Sequence, residues 1–369
     1  MTNIKGKSIN EVVFKSLETL ITEGYRSPSR NGDISTIYNA FVEIEHPQSR
    51  HLSLVGRDNN IFATIAETFW VFAGSNAIDP YLQFFLPRAR DYADDGLNWR
   101  GGYPERIKNG NQILDVIQQF KNEGIFTRRA VTSIYDANLD TADNLKKVYE
   151  LETTKDRPCN LIMDFFVTPD KRLHMNVKSR SGDVLWGFGS INIFEWTFYQ
   201  EMILQYIQDE IDPGVTMGTY NHHVTNLHLY DFSGAQGYAV VDKKLEQTLG
   251  LLNFDKLYFP KSTDVHAFFE ELVFTISSFI EAGDVDYTSM MNKTLQIFKK
   301  YNCFIRDNLL YNYARVVVAY VAAKNMHLAK GEKTDNVVVN LDDCGAEFVR
   351  SIASSKFRKF TIIYNGMKS

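Results

Sequence analysis

Pro158-Cys159-Asn160 opens an apolar run, Asn160 to Val167, that meets Thr168-Pro169-Asp170-Lys171 and returns as Arg172 to Ser179, followed by Arg180-Ser181-Gly182-Asp183. Both runs read as extended chain, and the tetrapeptide between them is a turn sequence, with Pro presetting φ and Asp able to bond its own backbone. The stretch is therefore a hairpin, and a hairpin sets its two open ends side by side. Those ends carry Cys159 and Arg180. A guanidinium beside a thiol favours the thiolate, which is the reactive form. Arg180 and Ser181 together also offer a phosphate a bidentate donor and a hydroxyl.

Outward from the hairpin, the chain alternates helices and strands without a regular βαβ repeat. Ser8 to Thr22 is an amphipathic helix, with Val12, Val13, Leu17, Leu20 and Ile21 on one side. Tyr25 to Asp33 reads as a loop and Ile34 to Glu45 as a strand. Asn60 to Ala73 is helical and ends at Gly74 as a C-cap. Asn111 to Lys121 is a helix ending near Gly124, Arg129 to Tyr135 a strand, and Asp136 to Asp140 a loop. Ile193 to Asp209 is a long apolar helix and Leu227 to Phe232 a short strand. Antiparallel strands among packed helices make this an α+β pattern. Past residue 233 the chain turns helical, over Val265 to Ala282 and Thr288 to Lys324, with Phe268, Phe269, Leu272, Val273, Ile276 and Phe279 as a core stripe. Lys330 to Asn336 is a polar loop. The expected division is 1–232, a catalytic domain, and 233–369, a mainly helical C-terminal extension.

With 44% hydrophobic residues over 369 positions, the chain can bury one large core, or one core and a satellite. Its net charge of -5 gives no general attraction to nucleic acid or anionic membranes, so any anionic ligand needs a local Arg or Lys cluster. Cys159, Cys303 and Cys344 are too scattered for a disulfide framework or a paired Cys-x-x-Cys zinc site, which fits a reducing cytoplasm and a cysteine free for nucleophilic work. The N-terminus has no apolar signal core. The longest apolar run, Val316 to Ala323, is too short to span a bilayer. A soluble, cytoplasmic protein is expected.

Three further segments carry chemistry-bearing residues: Asn192, the strand Asn226-Leu227-His228-Leu229-Tyr230, and the helix holding Glu67 and Trp70. Each has an ordinary reading when taken alone. A cysteine at a strand end is usually a small buried hydrophobe, Arg-Ser-x-Asp is a common turn, and His228 resembles any satisfied core histidine. His222-His223 with His228 makes a poor metal set, since adjacent strand residues face opposite ways and no carboxylate or cysteine stands at ligand spacing. Asp95 to Arg100 reads as a turn, and Cys303 as an inert helix residue. It is the joint order that is informative.

That order resembles the thymidylate synthase family, which includes the phage pyrimidine hydroxymethylases. Pro158-Cys159 resembles the family's nucleophile. Arg180-Ser181-Gly182-Asp183-Val184 with Gly187 resembles its Arg-Ser-x-Asp-Val segment and following Gly. Asn192-Ile193 is similar to its Asn-Ile, with one residue more between Gly187 and Asn192 than in the bacterial enzymes. His228-Leu229-Tyr230 resembles its His-x-Tyr strand, and Glu67, Trp70 and Gly74 its Glu-x-x-Trp helix. Arg128-Arg129 resembles the arginine pair lent across the family's dimer interface, and Arg30-Asn31-Gly32 its N-terminal Arg-x-Gly. Tyr103-Pro104 stands where the family has Tyr-Gly. The family's Trp-rich loop appears as Phe84 to Tyr92, and its C-terminal tail is not recognisable.

The resemblance implies a thymidylate synthase-like mixed β-sheet packed with helices, a homodimer, and a one-carbon transfer from 5,10-methylenetetrahydrofolate to C5 of a pyrimidine nucleotide. Cys159 would add to C6. Asn192 would donate to O4 and accept from N3–H, which matches uracil, so that dUMP is the expected nucleotide. Arg30, Arg180, Ser181 and a second copy's Arg128 and Arg129 would hold the phosphate, and His228 and Tyr230 the sugar. Glu67 would move protons at O4, Tyr103 would stand near the thiol or base, and Asp183, with Trp70 and Gly187, would hold the folate. The missing tryptophans and the missing tail imply a looser, wetter pocket, which favours a hydroxymethyl over a methyl product. The alternatives are a thymidylate synthase making dTMP and a non-catalytic nucleotide-binding protein. A viral source would place the protein in the host cytoplasm.

Overall fold

The computed structural model describes residues 2–57, 59–243, 256–304 and 308–332, with the backbone of 337–340 and 360–363. Cys344 and most of the loop expected at Lys330 to Asn336 lie outside the described residues.

The strands are β1 (Thr2–Gly6), β2 (Tyr25–Ser27), β3 (Ile34–Ile44), β4 (Val131–Ser133), β5 (Asn160–Val167), β6 (Arg172–Ser179), β7 (Gly182–Asp183) and β8 (Thr216–Tyr230). They form one mixed sheet in the order β1-β3-β8-β6-β5-β4, with β2 beside β3 and β7 beside β8. The hairpin β5–β6 is antiparallel, while β6 runs parallel to β8. Between Asn160 and Ile162 the register shifts, a bulge that leaves Leu161 as the extra residue just beyond Cys159. Burial alternates along β6 and along β8 from Gly218 to Val224. Met175, Val177, Tyr220, His222 and Val224 are buried on one face, and Asn176, Lys178, Asn221 and His223 are half-buried on the other.

The principal helices are α1 (Ile9–Glu23), α2 (Ile61–Ala73), α3 (Gln112–Glu123), α4 (Ile193–Glu210), α5 (Asp231–Asp242), α6 (Val265–Glu281), α7 (Tyr287–Lys300) and α8 (Leu309–Ala329). Side-chain caps start several of them. Ser8 Oγ accepts from the Glu11 amide at 3.4 Å, and Asn60 Oδ1 from the Ala63 amide at 3.1 Å. Gly74 ends α2 at φ 80°, and a Cβ there would meet the Lys108 side chain at 2.2 Å.

Every residue of α2 is buried, which marks a helix covered on all sides. Its outer cover comes from late in the chain. Phe62 stacks on Tyr320 of α8 at 4.7 Å, and Phe69 and Phe72 both pack on Phe269 of α6 at 5.7 Å. Fully buried Arg50 is ion-paired with Glu201 of α4, and Glu201 Oε1 accepts from the Leu257 amide at 3.2 Å. The Tyr313 hydroxyl of α8 lies 2.9 Å from His51 Nε2.

Three expectations need correcting. Tyr25–Ser27 is strand, paired antiparallel with Ile34–Thr36, and not loop. Ala137–Asp140 is a short helix capped by Asp136. The strand expected at Leu227 to Phe232 runs over Thr216–Tyr230 and ends before Phe232, which lies in α5.

Candidate active site

One cavity of about 310 Å³ opens at the ends of β6, β7 and β8. Its wall includes Arg30, Glu67, Trp70, Tyr103, Cys159, Arg180, Ser181, Asp183, Gly187, Asn192, His228 and Tyr230. Residues from well-separated parts of the sequence thus face one space. Arg128 and Arg129 do not: both are exposed, and Arg129 pairs with Glu123 at 2.6 Å.

At the hairpin's open end the Arg180 amide donates to the Cys159 carbonyl at 2.9 Å. The Arg180 side chain turns to the backbone leading into Cys159, with Nε donating to Pro158 O at 3.0 Å and Nη2 to Arg157 O at 2.8 Å. Burial pushes the Cys159 thiol above its ordinary range. The Arg180 and Arg30 guanidiniums pull it down, and the Asp156 carboxylate pushes it up. The thiol is thus held poised rather than ionised in the protein alone. Cys303, by contrast, is buried with its thiol pushed up to about 12, an inert residue.

The second wall is built by a π-helical turn, Gly187–Asn192, running into α4. A π-turn is a helical turn with one residue added, and it carries the chain from Gly187 to Asn192, both of which line the cavity. Gly189 is required in that turn, because a Cβ would lie 1.8 Å from the Val184 carbonyl oxygen. Asn192 Nδ2 donates to Glu195 Oε2 at 3.4 Å, leaving one N–H and Oδ1 for a ligand. Glu195 is wholly buried next to Glu67, and among the described residues neither Glu195 Oε1 nor Glu67 Oε2 has a hydrogen-bond partner. Burial raises the Glu67 carboxyl to about 8. Burial and then the Glu67 charge raise that of Glu195 well above the usual carboxylate range. Both carry protons at neutral pH, so each can donate.

At the other end, Arg30 Nη2 donates to Lys155 O at 2.8 Å, which brings a second guanidinium close to Arg180 and Ser181. His228 Nδ1 lies 3.3 Å from the Asn226 carbonyl. A carbonyl only accepts, so Nδ1 carries the hydrogen and Nε2 is left as an acceptor. Burial lowers the His228 imidazolium, which keeps the ring neutral. Tyr230 packs edge-on to it at 4.9 Å.

The remaining wall is aromatic. Trp99 stacks on Tyr92 at 5.1 Å, lies 5.9 Å from Trp70, and donates Nε1–H to Asp156 at 2.7 Å. The Arg88 guanidinium sits 5.1 Å over Trp186. Asp183 lines the same cavity, its carboxyl raised to about 6 by burial and partly restrained by the Leu185 amide and Arg57. The expectation of a pocket short of tryptophan is corrected here. Trp99 comes from the Asp95 to Arg100 stretch, which reads in the sequence as no more than a turn, and Trp70 and Trp186 complete the wall. Glu195, Asn160, Asp156 and Trp99 were not foreseen. The one available signal is an acid, Glu195, in the first turn of a long apolar helix that carries a second buried acid, Glu201. A larger polar cleft of about 880 Å³, beside the buried Arg100–Asp140–Arg106 cluster, holds no thiol or aromatic slot.

This geometry gathers a thiol, the Arg30 and Arg180 guanidiniums, an aromatic slot and the Glu67 carboxyl around one cavity. The thymidylate synthase family pattern matches residues 14–268, and the chain belongs to that family. It is 34% identical over 98% of its length to the deoxyuridylate hydroxymethyltransferase of Delftia phage PhiW-14, spanning 98% of that protein. The protein of the same name from Pseudomonas phage M6 is 31% identical over 63% of this chain and 62% of its own. A thymidylate synthase from Symbiobacterium thermophilum is 26% identical over 58% of this chain and 74% of its own. The fold matches thymidylate synthase A of Bacillus subtilis with a TM-score of 0.53 at 16% identity, over 70% of this chain and 91% of that one. Among the described residues no helix is long and apolar enough to cross a membrane.

Proposed function

We propose that the chain is a dUMP hydroxymethylase, transferring a one-carbon unit from 5,10-methylenetetrahydrofolate to C5 of dUMP and completing it with water. The observation that carries this reading is the match to the PhiW-14 deoxyuridylate hydroxymethyltransferase over 98% of both chains, which includes the part after residue 232. The methylating relative is matched over 58% of this chain.

Cys159 Sγ adds to C6 and electron density moves to O4, where a carboxyl that holds its proton at neutral pH, Glu67, can donate. Asn192, steadied by Glu195, offers O4 an N–H and N3–H an oxygen. Arg30, Arg180 and Ser181 bind the phosphate, joined by Arg128 and Arg129 of a second copy in a homodimer. His228 Nε2 accepts from the sugar hydroxyl and Tyr230 donates to it. The flat slot of Trp70, Tyr92, Trp99 and Trp186, with Asp183 and Gly187 beside it, fits a pterin ring. The reduced folate supplies carbon at the oxidation level of formaldehyde. Loss of the C5 proton and addition of water to the attached methylene then complete the hydroxymethyl group, and the thiolate leaves C6. No hydride moves, so tetrahydrofolate is released.

The part after residue 232 is proposed to serve this site through α2, since α6 and α8 cover its outer face and so keep Glu67 out of water. The test is the oxidation state of the folate product and the choice of base. Tetrahydrofolate release with dUMP, and none with dCMP, is expected. Dihydrofolate release would make the chain a methylating enzyme.

A further inference from the structure

Asn160, next to the nucleophile, has its amide held from both sides. Its Nδ2 donates to the Tyr103 hydroxyl at 2.8 Å, and its Oδ1 accepts from Ser179 Oγ at 2.5 Å. Ser179 Oγ lies 2.5 Å from His222 Nε2, and His222 Nδ1 lies 2.8 Å from the Tyr220 hydroxyl. Asn160, Ser179, His222 and Tyr220 are all buried on the core face of β5, β6 and β8. A chain of contacts therefore runs from the cavity wall, behind Cys159, into the core.

With one hydrogen on each hydroxyl and a neutral imidazole, the chain has two consistent arrangements. Burial pushes the His222 imidazolium down to about 3, so the ring is neutral. In the first arrangement Tyr220 donates to His222 Nδ1, His222 Nε2–H to Ser179, Ser179 to Asn160 Oδ1, and Asn160 Nδ2–H to Tyr103. The Tyr103 hydrogen is then free to point into the cavity. In the second, every bond is reversed and the Asn160 amide is turned over. Tyr103 donates inward, and the Tyr220 hydrogen is stranded in the core, where its hydroxyl has no other hydrogen-bond partner among the described residues. A buried, unpaired donor disfavours the second arrangement by roughly tenfold or more.

We infer that Tyr220, His222, Ser179 and Asn160 form a one-way chain of donors that holds the Tyr103 hydroxyl hydrogen outward, toward the cavity shared with Cys159. This inference rests on the reaction proposed above for its catalytic meaning, but not for its geometry. Tyr103 and Cys159 line the same cavity, and charge on the sulfur is felt at the Tyr103 hydroxyl. An outward O–H stabilises an anionic sulfur, whereas an outward lone pair opposes it. Ser179, His222 and Tyr220 are thus positioning residues that act through Asn160 and Tyr103 and touch no substrate.

Asn160→Asp separates the two arrangements. A carboxylate only accepts, so it keeps the bond from Ser179 but forces Tyr103 to donate inward. Assayed on the alkaline side, where the new carboxyl is ionised, Asn160→Asp should lower kcat roughly tenfold or more and leave KM for dUMP within about twofold. In a Tyr103→Phe background the same change should cost several-fold less, because the hydrogen it redirects is gone and only the new carboxylate beside Cys159 still opposes the thiolate. An unchanged kcat, or an equal loss in both backgrounds, overturns the inference. Nitrogen-15 NMR of the His222 side chain supplies a readout that needs no turnover. Hydrogen on Nε2 supports the chain, and hydrogen on Nδ1 overturns it. If the protein turned over no dUMP, the proposed function would fail while the tautomer still decided the chain.

Discussion

Replacing Glu67 by Gln should make the protein more stable and less active at once. Burial holds the Glu67 carboxyl at about 8 against 4.5 in an open chain. Between those values the folded protein binds a proton that the unfolded chain has released, so stability falls as pH rises through the window. At about pH 7 the penalty from this group is on the order of 3 kcal/mol, since each tenfold difference in proton affinity between the two states is worth ~1.4 kcal/mol. Gln copies the protonated shape without that penalty. Its new N–H, however, enters a region where Glu67 Oε2 already lacks a partner, which costs about 1 kcal/mol. The net gain is ~2 kcal/mol near neutrality, shrinking toward about pH 5. Gln cannot pass on a proton, so kcat for dUMP should fall by ~100-fold with little change in KM. Urea titrations of both proteins at several pH values, beside steady-state kinetics, test this. Equal stability at neutral pH together with an unchanged pH slope would refute the picture of a buried, protonated Glu67.

Other outcomes follow from the same structure. Arg50→Ala leaves the Glu201 carboxylate buried without its counter-charge and should cost ~3–5 kcal/mol, read as an earlier denaturation midpoint, whereas joint replacement of Arg50 and Glu201 by apolar residues should cost much less. Trp99→Ala removes the centre of the aromatic slot and should raise KM for the folate about tenfold or more while leaving KM for dUMP nearly unchanged. Arg128→Ala and Cys159→Ala proteins should each be nearly inactive alone and regain activity when mixed and allowed to exchange subunits. If mixing restores nothing, Arg128 does not reach a second copy's site.

Much of the site was legible because its residues stand where short-range physics shows. Ser8, Asn60 and Gly74 cap helices, Pro169-Asp170 turns the hairpin, and the hairpin alone sets Cys159 against Arg180. The first half of β8 was not legible. Gly218, Asn221, His222 and His223 break the apolar alternation, and their polar groups are satisfied across the sheet. His174 Nδ1 lies 2.9 Å from Thr219 Oγ1, Asn221 Nδ2 donates to Asn176 at 3.2 Å, and Lys178 Nζ lies 3.0 Å from His223 Nδ1. Trp99 was missed because a turn reveals nothing of what its side chain will meet. Glu195 and the chain behind Asn160 depend on contacts between residues far apart in sequence, such as Ser179 with His222, and no local pattern encodes those.

The reaction proposed for this chain is defined by its product. Mass spectrometry of the nucleotide after incubation with dUMP and 5,10-methylenetetrahydrofolate, repeated with Cys159→Ala, tests it most directly. The unaltered protein should yield a nucleotide heavier by one hydroxymethyl group, and the variant should leave dUMP unchanged. A methylated nucleotide, or equal conversion by Cys159→Ala, would contradict the proposed reaction.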